Sequence, residues 1–173
     1  PALALVGRVR LGELANDDSH LKDVLETVES YASWEKSSLG SRPSGSTLSG
    51  HLIFGELAKA TDDERFIKLV RTAADLGFDA DGKLRESMPF HNEMSDAVFM
   101  GTPILVHAGR LTGETKYFDM ADRHLKFMLK LNVRNDGLHQ HSPLDSEHTA
   151  WGRGNGFPAL GLALSISDMP AKS

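Results

Sequence analysis

Apolar residues recur along this chain at helical intervals. From Ser19 onward, Leu21, Val24, Leu25, Val28, Tyr31 and Trp34 fall on one stripe, while Lys22, Asp23, Glu26 and Glu29 take the other face. That spacing predicts an amphipathic helix packed on one side. The Ser- and Gly-rich stretch 37–49, which contains Pro43, predicts a loop. A compact apolar helix follows, with Leu52, Ile53, Phe54, Leu57 and Ala58. Thr61 stands three residues before Glu64, the pattern of a capping box. The helix expected from it carries Phe66, Leu69, Val70, Ala73 and Ala74, and residues 79–82 read as a turn.

The segment 96–111 is different, being almost wholly apolar through Ala97, Val98, Phe99, Met100, Ile104, Leu105 and Val106. A helix apolar all round should be buried all round. Pro103 inside it predicts a kink. Thr112 is expected to start an amphipathic helix with Tyr117, Phe118, Ala121, Leu125 and Met128 inward and Asp119, Asp122, Lys126 and Lys130 outward. A last apolar helix is expected from about Phe157 to Ile166.

The chain repeats itself. "ELAKATDDERFIKLVRTA" from Glu56 resembles "HAGRLTGETKYFDMADRH" from His107, so that Thr61 matches Thr112, Arg65 matches Lys116 and Phe66 matches Tyr117. The unit is a buried helix, a short Thr turn and an amphipathic outer helix, which predicts stacked helix pairs. Such pairs build either an open solenoid or a ring with the apolar helices inside. The long connections, 37–49, 79–95 and 132–155, all precede apolar helices, and the Thr turns all lie at the other end. One face is therefore plain and the other is built of loops, where function concentrates.

Composition narrows the class. The 173 residues are 40% hydrophobic and 25% charged, as in a globular domain with a real core. A net charge of −5 argues against a broad nucleic-acid surface. Without cysteine there is no disulfide, thiolate metal site or Cys nucleophile. No apolar run approaches the roughly 20 residues of a membrane span. The chain opens at Pro1 rather than Met, from which a missing natural N-terminus is expected.

The long loops hold the chemistry. "PFHNEMSD" ends in Asp96 at the head of the buried helix, where it reads either as a helix N-cap or as a carboxyl shielded from water and fit for general acid work. "DGLHQHSPLDSEH" carries His139, His141 and His148. Alternating histidines suit metal ligation, but no third ligand keeps a fixed spacing, so surface histidines read better. "HTAWGRGNGF" brings Trp151, Arg153, Asn155 and Phe157 among three glycines. It reads either as a helix-to-helix turn whose Trp plugs the core, or as an anion grip with flat apolar walls.

Taken in order, "SDAVFMGTPILVHAGRLTGETKYFDMA", "DGLHQHS" and "WGRGNGF" resemble the unsaturated glucuronyl and rhamnogalacturonyl hydrolases of glycoside hydrolase families 88 and 105. Those families show Asp-x-x-Phe/Tyr-Met-x-x-Pro, then Gly-Leu-x-x-His, then Trp-Gly-Arg-Gly-Asn-Gly-Trp. The match runs from about Thr47 to Leu164. The resemblance implies an all-α (α/α)6 barrel and removal of a 4,5-unsaturated uronic acid from the non-reducing end of lyase-generated oligosaccharides. It implies Asp96 as catalytic acid/base, and His141, Trp151, Arg153, Asn155, Phe157 and His91 as substrate contacts. It implies no cofactor and no metal, and it suits either the cytoplasm or the periplasm. Phe157 stands where the family usually has Trp. The family's second active-site carboxylate has no counterpart in "GSTLSG" before the first buried helix.

Family members are about twice as long, and a closed ring of six pairs needs twelve helices where the pattern here gives about seven. One partial domain over 1–173, roughly half of the ring and incomplete at its C-terminus, is therefore expected. Open barrel edges would favour self-association. The rival expectation is a truncated, inactive half-barrel serving as a structural or carbohydrate-binding module. A sugar epimerase shares the ring but lacks the Trp-Gly-Arg-Gly-Asn-Gly run, and a protein-binding solenoid explains the repeat but not the polar cluster.

Overall fold

The computed structural model describes residues 2–90, 92–147 and 149–171. It is helical: α1 (Ala2–Ala15), α2 (Ser19–Ala32), the short α3 (Gly45–Gly50), α4 (Leu52–Thr61), α5 (Glu64–Ala74), α6 (Ala97–Thr112), α7 (Thr115–Asn132) and α8 (Gly152–Ile166). Among the described residues, β structure amounts to two isolated bridges, Phe78 with Leu84 and Val133 with His139. No helix among them is long and apolar enough to cross a membrane.

The apolar helices α1, α4, α6 and α8 pack side by side as a row, with α2, α5 and α7 laid outside it. α6 is buried on nearly every side, as its composition predicts, and it runs unbroken through Pro103. In α5 and α7, Phe66, Leu69, Tyr117, Met120 and Ala121 face inward and are fully buried.

Several expectations need correction. α1 was not anticipated, because Leu3, Leu5, Leu11 and Leu14 scatter apolar positions around its whole circumference. Trp34 lies beyond α2 with φ 64°, and is 53% exposed rather than on the buried stripe. The 37–49 stretch contains α3, closed at its start by Ser44 and Thr47, whose side chains bond each other's main-chain N–H. Neither threonine opens the helix expected of it. Thr61 Oγ1 donates to the Leu57 carbonyl and accepts from Asp63 N–H, while Asp63 caps α5. Thr112 does the same with Ala108 and Glu114, so α7 begins at Thr115. Asp62 and Gly113, both left-handed, end α4 and α6. The repeat thus holds in the bonds of its threonines, although the helix starts sit two residues later than the sequence suggests and only Asp63, not Glu114, caps with its side chain.

The repeat also extends further than the sequence shows. Each outer helix leads into a small bridged turn, with Gly82 and Gly137 at φ 76° and 81°. α5 has 11 residues and its following 3-10 turn 3, against 18 in α7, and this four-residue surplus moves the spacing from 51 to 55. At that spacing Ala97 matches Gly152, so α8 starts where α6 predicts, five residues before Phe157.

Two histidines lie deep in this frame. His124 accepts from Met88 N–H at Nδ1 (3.1 Å), so its proton sits on Nε2 and goes to the Ala97 carbonyl (2.9 Å). His107 lies between Glu56 and Asp168 near the plain end, where Arg10 holds Glu56 and Lys59 holds Asp168. Burial pushes both imidazoles down to about 4, with the Lys59 cation adding to the effect on His107. An unfolded histidine titrates near ~6.5. The stability contributed by the neutral rings is therefore fully present above that value and drains as pH falls towards 4, at up to about 1.4 kcal/mol per pH unit per histidine. Urea melts between pH 7 and 4 should show this slope, and His124→Gln should make it shallower. An unchanged slope would mean His124 does not carry it.

Candidate active site

The loop face is organised by the starts of α6 and α8, which lie against each other. Their approach depends on Gly161: a Cβ there would sit 2.7 Å from Phe99 Cα and 2.8 Å from Phe99 N. Ser95, fully buried, ties the two starts together, since its Oγ donates to the Gly154 carbonyl (2.8 Å) and its N–H to the His141 carbonyl (2.8 Å). Sequence reasoning missed Ser95 as a contact because both of its partners are main-chain atoms, which leave no residue signature.

Asp96 precedes α6 but its side chain caps nothing. It turns instead to α8, where Arg153 Nη1 meets Oδ2 at 2.5 Å across 57 residues of chain. Oδ1 is buried without a hydrogen-bond partner among the described residues. The Asp96 side chain is 5% exposed and that of Arg153 48%. The guanidinium lies 4.2 Å over the Trp151 ring and 6.0 Å from that of Phe157. Phe157 in turn stacks on Phe99 at 4.9 Å. His141 meets Trp151 edge-on at 5.6 Å, and its Nδ1 pairs with Asp145 Oδ2 at 2.8 Å. Asp96, Arg153, Trp151, Phe157 and His141 thus form one group on the loop face.

Asn155 works differently from these. Its Oδ1 accepts from His139 N–H (2.8 Å) and its Nδ2 donates to the His139 and Trp151 carbonyls (3.1 Å each). The amide pins both ends of the 139–151 loop to α8. The "WGRGNG" stretch is not a turn: it forms the first turns of α8, with Trp151 as the residue before it. Among the described residues no three His, Asp or Glu side chains gather as metal ligands. His91 and His148 lie outside the described residues. In "GSTLSG" the hydroxyls of Thr47 and Ser49 are turned to their own helix's main chain, on the segment that packs against α6.

The family model described as Glycosyl Hydrolase Family 88 matches residues 1–173. The chain belongs to glycosyl hydrolase family 88. A solved family 88 protein from Bacteroides vulgatus is similar at TM-score 0.77 and 16% identity, covering 98% of this chain and 54% of that one. A family 105 glycoside hydrolase from C. acetobutylicum is similar at 0.73 and 20%, covering 99% and 53%. A polysaccharide lyase is similar at 0.60 and 16%, covering 75% and 38%. No curated protein matches. The family 88 chain therefore has the helical-barrel fold of these proteins and spans about half the length of the two glycoside hydrolases.

Proposed function

We propose that the site removes a 4,5-unsaturated uronic acid from the non-reducing end of lyase-generated oligosaccharides. The observation that carries this reading is the Asp96–Arg153 pair seated against Trp151 and Phe157. The C4–C5 double bond of such a sugar is conjugated with the ring oxygen as a vinyl ether. It reacts with a proton rather than with a nucleophile. Asp96 delivers the proton to C4, and the ring oxygen stabilises the cation left at C5. Water adds at C5 and returns a proton to Asp96, after which the hemiketal opens and expels the rest of the chain. One acid suffices for this, unlike the carboxylate pair of ordinary glycosidases. Arg153 provides the fork of donors that fits the uronate carboxylate, and in a protein of net charge −5 it is the local cation that draws it in. Trp151 and Phe157 cover a sugar face, His141 lines the same wall, and the family resemblance adds His91 as a further contact.

The test is loss of the ultraviolet absorbance of the conjugated double bond when the chain is incubated with unsaturated uronyl disaccharides, against saturated ones as control. Turnover of the unsaturated sugar alone supports the reading. A second reading, a carbohydrate-binding or structural half-barrel, draws on the lack of a carboxylate in α3. It expects retention of the sugar with no change in absorbance.

The row of inner helices leaves apolar side chains outward at its two ends: Leu11 and Leu14 on α1, Leu162 and Ile166 on α8. We propose that the 173-residue chain by itself associates through these edges, because soluble monomers seldom expose large apolar patches. Light scattering that returned a stable 18.9 kDa monomer with a cooperative melt would overturn this.

A further inference from the structure

Asp96 and Arg153 occupy each other. Among the described residues the contact is single, Nη1 to Oδ2 at 2.5 Å, and the other carboxyl oxygen is buried with no partner. A carboxyl only 5% exposed is neutralised by a guanidinium that is 48% exposed and rests 4.2 Å above Trp151. Held by the guanidinium, the Asp96 carboxyl accepts a hydrogen bond, which is the wrong role for a proton donor. The resting site therefore holds its acid inactive, and the residue holding it is the one suited to grip a uronate.

We propose that Arg153 is a carboxylate-operated latch: an arriving uronate draws the guanidinium off Asp96, and Asp96 takes up one proton as the ligand binds. This rests on the reading of the site as one for uronates. The ligand carboxylate offers two oxygens to the guanidinium fork where Asp96 offers one, so exchange trades a single contact for a bidentate one. The Trp151 face lets the guanidinium slide while staying stacked. Asp96 is then left without its counter-ion, almost shut off from water and beside a second negative charge. All three conditions favour the protonated carboxyl. The proton comes from solvent to an Asp96 oxygen, and no other bond forms or breaks. Charge balances, since Arg153 now pairs with the ligand. The proton taken up is the one later given to C4. A neutral sugar, or a uronate masked as its methyl ester, leaves the latch shut, so Arg153 sets specificity for the free acid.

Other groups around Asp96 must be separated from it. His141 and Asp145 come from the loop before α8, Glu93 from its own loop and His124 from α7, while Gly45–Gly50 presents hydroxyls only. His124 stays neutral near pH 7 because burial lowers it to about 4.

The test is calorimetric titration with a saturated uronate, galacturonate or glucuronate, near pH 7 in two buffers of different ionisation heat. The latch predicts about one proton taken up per uronate bound by the wild-type chain. Asp96→Asn should bind with no uptake, His141→Gln should keep the uptake, and the methyl ester should give none. Uronate binding without buffer-dependent heat overturns the latch alone, and turnover of unsaturated disaccharides would still uphold the glycosidase reading. Uptake that survives in Asp96→Asn, or vanishes in His141→Gln, moves the proton elsewhere and overturns it too. Absence of both uronate binding and turnover overturns the latch and the reading together.

Discussion

Asp96→Asn should lower the turnover of an unsaturated uronyl disaccharide by about 10²–10⁴-fold, the size of effect expected when a general acid is lost. The substitution keeps the shape of the side chain and its place at the start of α6. It removes the transferable proton and the charge that pairs with Arg153. The side chain caps no main-chain N–H in the native protein, so the helix start loses no bond. A thermal melt close to that of the wild type would show the fold intact and leave the rate loss chemical. A variant with near wild-type turnover would remove Asp96 from the mechanism, whatever the geometry suggests.

The largest structural effect should come from Gly161→Ala. The new methyl group would meet Phe99 Cα, Phe99 N and the Val98 carbonyl oxygen at 2.7–2.8 Å, all of them backbone atoms of a buried helix. No rotamer change relieves such a contact, so α6 and α8 must part. Overpacking of this kind costs about 1–3 kcal/mol, against a helix-propensity gain of about 1 kcal/mol or less. Gly156→Ala in the same helix is the control: a Cβ there meets nothing within 4 Å. It should leave stability unchanged or raise it slightly. Denaturant melts of the two variants side by side decide the matter, and equal midpoints would mean that α8 does not depend on this close approach. Because the same approach brings Arg153 to Asp96, Gly161→Ala should also lose activity beyond its loss of stability.

Much of the fold is legible in the residues themselves. The all-round apolar run 97–111 announces a helix buried on every side, and the stripes in α2, α5 and α7 announce outer helices. The matched threonines 61 and 112 disclose a repeating unit, and the order of long and short connections separates a loop face from a plain one. Asp96, Arg153, Trp151 and Phe157 stand out because their types and order resemble a family's motifs. These are properties of local periodicity and of residue chemistry, which survive without coordinates.

Other features depend on packing. The stretch 152–158 contains three glycines and a proline, so propensity predicts a turn, yet it is helical. Docking on α6 explains this: Gly161 admits the Phe99 backbone, and Ser95 Oγ bonds the Gly154 carbonyl. Asp96 could be an N-cap or an acid by sequence alone. Its orientation follows from where α8 delivers Arg153, 57 residues away. Asn155 looks like a sugar contact in its motif, but the fold brings the main chain of His139 within reach of its amide. The sequence alone determined which faces are apolar and which side chains bear chemistry, because both are written in the order of residue types. Tertiary structure decided which of those side chains meet, because contact between distant residues depends on how closely two helices can approach.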